Sequence, residues 1–330
     1  MTELRREFHR REPIRRPPFA LLSACLLALA PGLSGSAGEA GDVKSAAADT
    51  LEMREAAGIV LRDGPAPLLH PGDLEVSSDG TVAVLDERDY AVKLFAPDGS
   101  FLRTLGARGT GRGQLAHPPA MTFVGDSLVA VADDQRLKLL LFGISGELQR
   151  EVDLRIRPVN DLLFVDGRFV VGGLGPLVSS RDEVPYTVHH LGPDGTLLRS
   201  SFPVPPRFRE PPALRNQRLA LLAPKPGGGF YVTWRLADSV HAVDGGGHIL
   251  RSRSLDASPY YRPGRQVAAR AEGGPGGGPG ELDEPGGVAL EPGGVLTVMD
   301  FGKRGLVRYD TSGRALPTRR LDVPYSGDRI

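Results

Sequence analysis

Cysteine is nearly absent from this chain: Cys25 is the only one in 330 residues, and it lies close to the N-terminus. A disulfide framework and a Cys-ligated metal are both excluded from the rest of the chain, so the folded part depends on packing alone. Aromatic residues make up 6%, with one tryptophan, Trp234. Net charge is absent too, with 40 basic against 40 acidic residues. Residues 1–37 hold six arginines and three glutamates, so without them 34 basic face 37 acidic residues, a charge of about −3. No basic stripe remains to neutralise phosphates, which argues against nucleic acid as a partner. The longest apolar run, Phe19 to Ala30, is too short to span a bilayer. No G-x-S-x-G frames a nucleophilic serine. The glycines of 106–113 lack the G-x-x-x-x-G-K-[ST] register of a phosphate loop, and those of 273–280 read as a linker.

What is present begins with an export signal. An Arg-rich stretch through Arg16 precedes the apolar run, and small residues lead to Ala37 and Ala40. This pattern predicts a cleaved signal peptide over 1–37. Leu22-Ser23-Ala24-Cys25 is similar to a bacterial lipobox, giving an alternative lipoprotein signal to residue 24 and a lipid anchor on Cys25. A flexible leader over 38–67 and a folded domain over 68–330 follow.

The domain is repetitive. Asp86, Phe95 and Gly99 have the same spacing as Asp133, Phe142 and Gly146, and as Asp300, Tyr309 and Gly313. Around them run short alternating segments bounded by Asp-Gly turns, the signature of consecutive hairpins. In the first unit these are Leu74–Val76, Thr81–Leu85, Ala91–Phe95 and Phe101–Leu105. Similar units start near Met121, Leu162, Leu219 and Val288, with Gly173 and Arg235 standing where the better repeats have Asp. Four strands per period of 40–50 residues predict an all-β propeller of four-stranded antiparallel blades, because a lone meander cannot bury its own faces.

Between blades, Gly111-Arg-Gly-Gln-Leu-Ala-His117-Pro118 matches Gly278-Pro-Gly-Glu-Leu-Asp-Glu284-Pro285. With the Val-x-Asp turn, the aromatic and the glycine, this pattern resembles the NHL repeat. The whole resembles the exported bacterial six-bladed β-propellers over residues 68–322. Five blades are discernible. The sixth is a partial last blade, a degenerate one within 257–285, or a ring closed by a strand at Ile59–Leu61.

Three candidate sites follow. Asp86, Asp133 and Asp300 sit in separate blades where the second strand turns into the third, and read as turn-makers rather than a carboxylate cluster. Aligning the blades on the residue just before the blade-entry proline puts His70, His117, Pro158, Arg215 and Glu284 at one position. Propellers of similar build, such as the lyase completing peptide α-amidation, hold a metal with histidines from separate blades. That resemblance makes His70, His117 and Glu284 candidate ligands for a divalent metal at the channel, with a plain polar rim as the alternative. The insertion after Leu174 and the segment Pro203–Arg215 are long loops, where recognition concentrates. There Arg207, Phe208, Arg209 and Arg215 form a basic-aromatic partner-binding patch. His189 and His190 are neighbours on one strand, so one is expected inside and one outside. His241 and His248 read as isolated from acidic partners.

The resulting expectation is a periplasmic or extracellular binding scaffold, not an enzyme and without a cofactor. It would recognise a protein, peptide or glycan of the cell envelope. The alternative is a metal-dependent lyase or hydrolase with its ion in the channel.

Overall fold

The computed structural model describes residues 50–51, 67–175, 185–204, 219–234, 239–254, 285–290, 295–300, 305–310, 316 and 319–321. Every element among them is a strand. After β1 (Thr50–Leu51), the first blade comprises β2 (Pro71–Val76), β3 (Val82–Asp86), β4 (Ala91–Phe95) and β5 (Phe101–Leu105). The second comprises β6 (Ala120–Val124), β7 (Leu128–Asp133), β8 (Lys138–Gly143) and β9 (Leu148–Asp153). The third comprises β10 (Val159–Val165), β11 (Arg168–Gly175), β12 (Tyr186–Leu191) and β13 (Leu197–Pro203). The fourth comprises β14 (Ala220–Pro224), β15 (Phe230–Trp234), β16 (Ser239–Val243) and β17 (Ile249–Ser254). The fifth comprises β18 (Pro285–Leu290), β19 (Leu296–Asp300), β20 (Gly305–Tyr309) and β21 (Arg319–Leu321). Each is an antiparallel meander in chain order.

Blades associate because a four-stranded meander has two apolar faces. The second and third strands of the first blade, β3 and β4, are buried at every position. Ala83, Leu85, Val92 and Leu94 of blade one pack on Met121, Val131 and Leu140 of blade two. Ala130, Ala132 and Leu139 of blade two pack on Leu162, Phe169 and Val171 of blade three. Leu163 and Val170 of blade three pack on Leu222, Phe230 and Val232 of blade four. Fully burying one such side chain stabilises the fold by about 1.5–3 kcal/mol. First strands of successive blades pack side by side in the order β2, β6, β10, β14 and β18, which places them around the central channel.

An arginine clasp repeats at the periphery. Arg103 of β5 donates to the Ser145 carbonyl, Arg150 of β9 to the Pro193 carbonyl, and Arg199 of β13 to the Gly246 carbonyl at 2.8 Å. In each case the outer strand of one blade reaches the outer turn of the next. Each arginine stands four residues after its own turn glycine, and Arg251 after Gly247 keeps the spacing.

Within the segment 38–67, Thr50–Leu51 pairs in parallel with Arg320 and Leu321 as a fifth strand on the last blade. The candidate closing strand Ile59–Leu61 and the candidate hidden blade at 257–284 lie outside the described residues.

Candidate functional site

The repeated aspartates do what a turn requires, and more. Asp86 Oδ1 accepts N–H bonds from Arg88 at 3.0 Å and Asp89 at 3.2 Å, closing the β3–β4 turn. Its two oxygens also accept from Leu69 and His70, in the segment that opens the blade. Asp133 repeats this with Gln135 and Arg136 in the turn and Ala116 and His117 in the opening segment. The aspartate therefore fastens the start of its blade to the middle. Blade one adds a buried cation. Lys93 Nζ, 1% exposed, contacts Asp86 at 2.8 Å, Asp89 at 2.6 Å and the Pro67 carbonyl. Burial opposes both charges, but the pair's hydrogen bonds outweigh it. They hold the Asp86 carboxyl below its ordinary range and the Lys93 ammonium above its own. The side chain of Asp300 lies outside the described residues.

His70 and His117 occupy equivalent positions, since the carbonyl of each accepts the N–H of the residue after the turn aspartate, Glu87 and Asp134. Pro158 is third in the series, with its carbonyl bonded by the Leu174 N–H. Each imidazole meets a carboxylate of its own blade. His70 Nδ1 lies 3.3 Å from Glu87, and His117 Nδ1 lies 2.7 Å from Asp134. Glu284 lies outside the described residues, as do Arg207, Phe208, Arg209 and Arg215. Among the described residues no three His, Cys, Asp or Glu side chains are grouped to hold a metal ion.

Deeper along the first strands lies a feature that the sequence reading missed. Asp73 of β2 accepts the Met121 N–H of β6 at 2.9 Å, and Asp161 of β10 accepts the Leu222 N–H of β14 at 2.8 Å. The first strand of a blade has no partner on its channel side, and these carboxylates satisfy N–H groups along that edge. Burial is the main cause that raises Asp73 to about 6 and Asp161 to about 7. Glu75, two residues along β2, is pushed well above its ordinary value by burial and then by the charges of Asp73 and Asp161. No hydrogen-bond donor among the described residues reaches Glu75. Asp73 and Glu75 lie on β2 and Asp161 on β10, both first strands along the channel.

The histidine expectations need correction. His189 and His190 are both buried, at 0% and 2% exposure. Neighbouring blades cover both faces of a middle strand, so alternation selects between two interiors instead of inside and outside. His190 packs against Phe230 of blade four, while His189 lies on the opposite face of its strand. Each imidazole has one nitrogen bonded to a serine hydroxyl and one buried without a partner. His248 is not isolated from acids: its Nδ1 lies 3.2 Å from Asp244.

No family model matches the chain, and no curated protein matches it either. The fold is shared with solved propellers. One is a protein of Bacteroides fragilis NCTC 9343 described as exported, with TM-score 0.55, 13% identity, and 73% of this chain and 69% of that one covered. A DUF4221 family member from Bacteroides vulgatus gives TM-score 0.54 and 10% identity over 74% and 78%. A catalytically inactive histidine variant of virginiamycin B lyase from Staphylococcus aureus, solved with quinupristin, gives 0.51 and 11% over 77% and 71%. Among the described residues no helix is long and apolar enough to cross a membrane.

Proposed function

We propose that this chain is an exported binding propeller of NHL type that captures a cationic segment of a peptide or protein partner in the cell envelope. The observation that carries this reading is Glu75 of channel-lining β2, a carboxylate that no hydrogen-bond donor among the described residues reaches and whose charge is opposed by those of Asp73 and Asp161. Carboxylates on the buried channel strands oppose one another's charge, and a lysine or arginine side chain entering the channel relieves that repulsion. The signal-like N-terminus supports export. The loop residues Arg207, Phe208, Arg209 and Arg215 supply a second contact toward acidic parts of the partner. A Lys/Arg-containing peptide should bind with an affinity that falls as salt rises. Glu75→Gln should weaken it about tenfold or more, with the thermal midpoint unchanged or raised. Equal capture of an acidic peptide of the same length, or no effect of Glu75→Gln, would refute the reading.

A second reading, the metal-dependent lyase or hydrolase, is favoured by the two histidine–carboxylate pairs. A carboxylate on one ring nitrogen is what commonly orients an imidazole for a metal on the other. With Glu284, His70 and His117 would hold a divalent ion. Metal analysis of purified protein should then show stoichiometric zinc, calcium or iron that His117→Ala removes. A metal-free protein with a chelator-insensitive melting point would eliminate this reading.

A further inference from the structure

We infer that Phe202, Trp234 and His241 form a three-ring site for an alkylammonium or guanidinium group, a second cation subsite of the peptide reading proposed above, on which the inference rests. The rings come from β13, β15 and β16 at the seam between blades three and four. Their centroids lie 5.3 Å apart for Phe202–Trp234, 5.7 Å for Trp234–His241 and 6.0 Å for Phe202–His241. The interplanar angles are 59°, 64° and 31° respectively, so the faces are inclined walls and do not form one flat platform. All three rings are half-buried and show part of their surface. A cation resting about 3.5 Å above the triangle of centroids lies about 5 Å from all three, inside the roughly 6 Å reach of a cation–π contact.

The polar edges of these rings are tied down. Trp234 Nε1 donates to Thr187 Oγ1 at 2.9 Å, and that hydroxyl donates to the Phe202 carbonyl at 3.0 Å. The His241 nitrogens meet the hydroxyls of Ser252 at 2.8 Å and Ser239 at 3.2 Å. What the rings can offer a ligand is therefore their π faces. Phe202 is held at φ 59°, a left-handed conformation that a bulky residue adopts only at a cost. That backbone strain fixes one wall. Three inclined aromatic faces favour a cation over a sugar ring, whose stacking needs one open plane.

Trp234 is the only tryptophan, so fluorescence of the full chain reports on this site directly. Choline chloride should change its emission saturably, where sodium chloride does not. The neutral isostere 3,3-dimethylbutan-1-ol should bind at least about tenfold more weakly. Phe202→Gly removes one wall while suiting φ 59°, so the fold should persist by circular dichroism with choline affinity about tenfold lower or worse. Equal affinity for the isostere would mean an apolar pocket, response to N-acetylglucosamine alone a sugar site, and no saturable response a plain core cap. Each of these overturns the inference. Glu75→Gln separates the two proposals: the channel reading fails if that variant still captures peptide normally. The ring site fails if Phe202→Gly leaves both choline and peptide binding intact.

Discussion

Asp86→Ala should lower stability by about 4 kcal/mol, because it leaves the buried Lys93 ammonium without its main counter-charge. Asp133→Ala, at the same position one blade on, should cost about half as much. Blade two has Leu140 where blade one has Lys93, so only backbone bonds of the turn and opening segment are lost. In a domain of this size the larger loss is a fall of roughly 10 °C in melting temperature. Adding Lys93→Met to Asp86→Ala should recover part of it, since the stranded charge is then gone as well. The comparison is made by thermal and urea denaturation of the wild type and the three variants. Equal costs at Asp86 and Asp133, or no recovery in the double variant, would contradict the assigned ion pair.

Acidification should produce the second large effect, through His189 and His190. Burial first, and for His190 also the charges of Arg199 and Arg168, lower both imidazoles to about 4. Asp244 opposes this at His190, while His248 adds to it. The unfolded chain binds protons at an ordinary value near 6.5 that the folded chain refuses. Their stabilising contribution is therefore present above pH 6.5 and is lost as pH falls toward 4, about 3 kcal/mol for each residue. Asp73 and Asp161 act in the opposite sense. Their raised values of about 6 and 7 give stability that is present below the ordinary carboxylate range and is lost as pH rises through 6 to 7. The two sets offset each other between pH 4 and 6.5. Asp161→Asn should unmask the histidines and make the protein markedly more acid-labile than the wild type. A His189→Gln/His190→Gln variant should become relatively more stable at pH 4.5 than at pH 8. Melting temperatures at the two pH values decide it; shifts of the same sign in both variants would refute the assignment.

The propeller was legible because its signals are local. Asp-Gly turns, alternating runs and the Asp–aromatic–Gly spacing each need only a few consecutive residues, and β3, β4, β7 and β8 lie where those signals put them. Equivalence of His70, His117 and Pro158 was legible as well, and the backbone bonds of the three carbonyls bear it out. What escaped depends on neighbours from other blades. Strands were read from Leu74 and Leu162, one residue past Asp73 and Asp161, because a carboxylate at the head of an apolar run looks like a boundary. Only the bare channel edge of the adjacent first strand gives it a partner. Lys93 was indistinguishable from a solvent-facing lysine, and His189 from an exposed histidine, because alternation cannot tell a sheet with one wet face from a blade covered on both. The arginine clasp left a trace, one arginine four residues after the outer-turn glycine in the first four blades. Its meaning required the next blade's carbonyl.

The central claim is that channel-facing carboxylates, partly protonated near neutrality, take up a cationic partner. Calorimetric titration of the protein with a Lys/Arg-containing peptide, at pH 6 in two buffers of different ionisation heat, measures the protons exchanged on binding. Protons should be released at pH 6, fewer at pH 9, and fewer at pH 6 from Glu75→Gln. Binding with no proton exchange at pH 6, or with uptake instead of release, would contradict it.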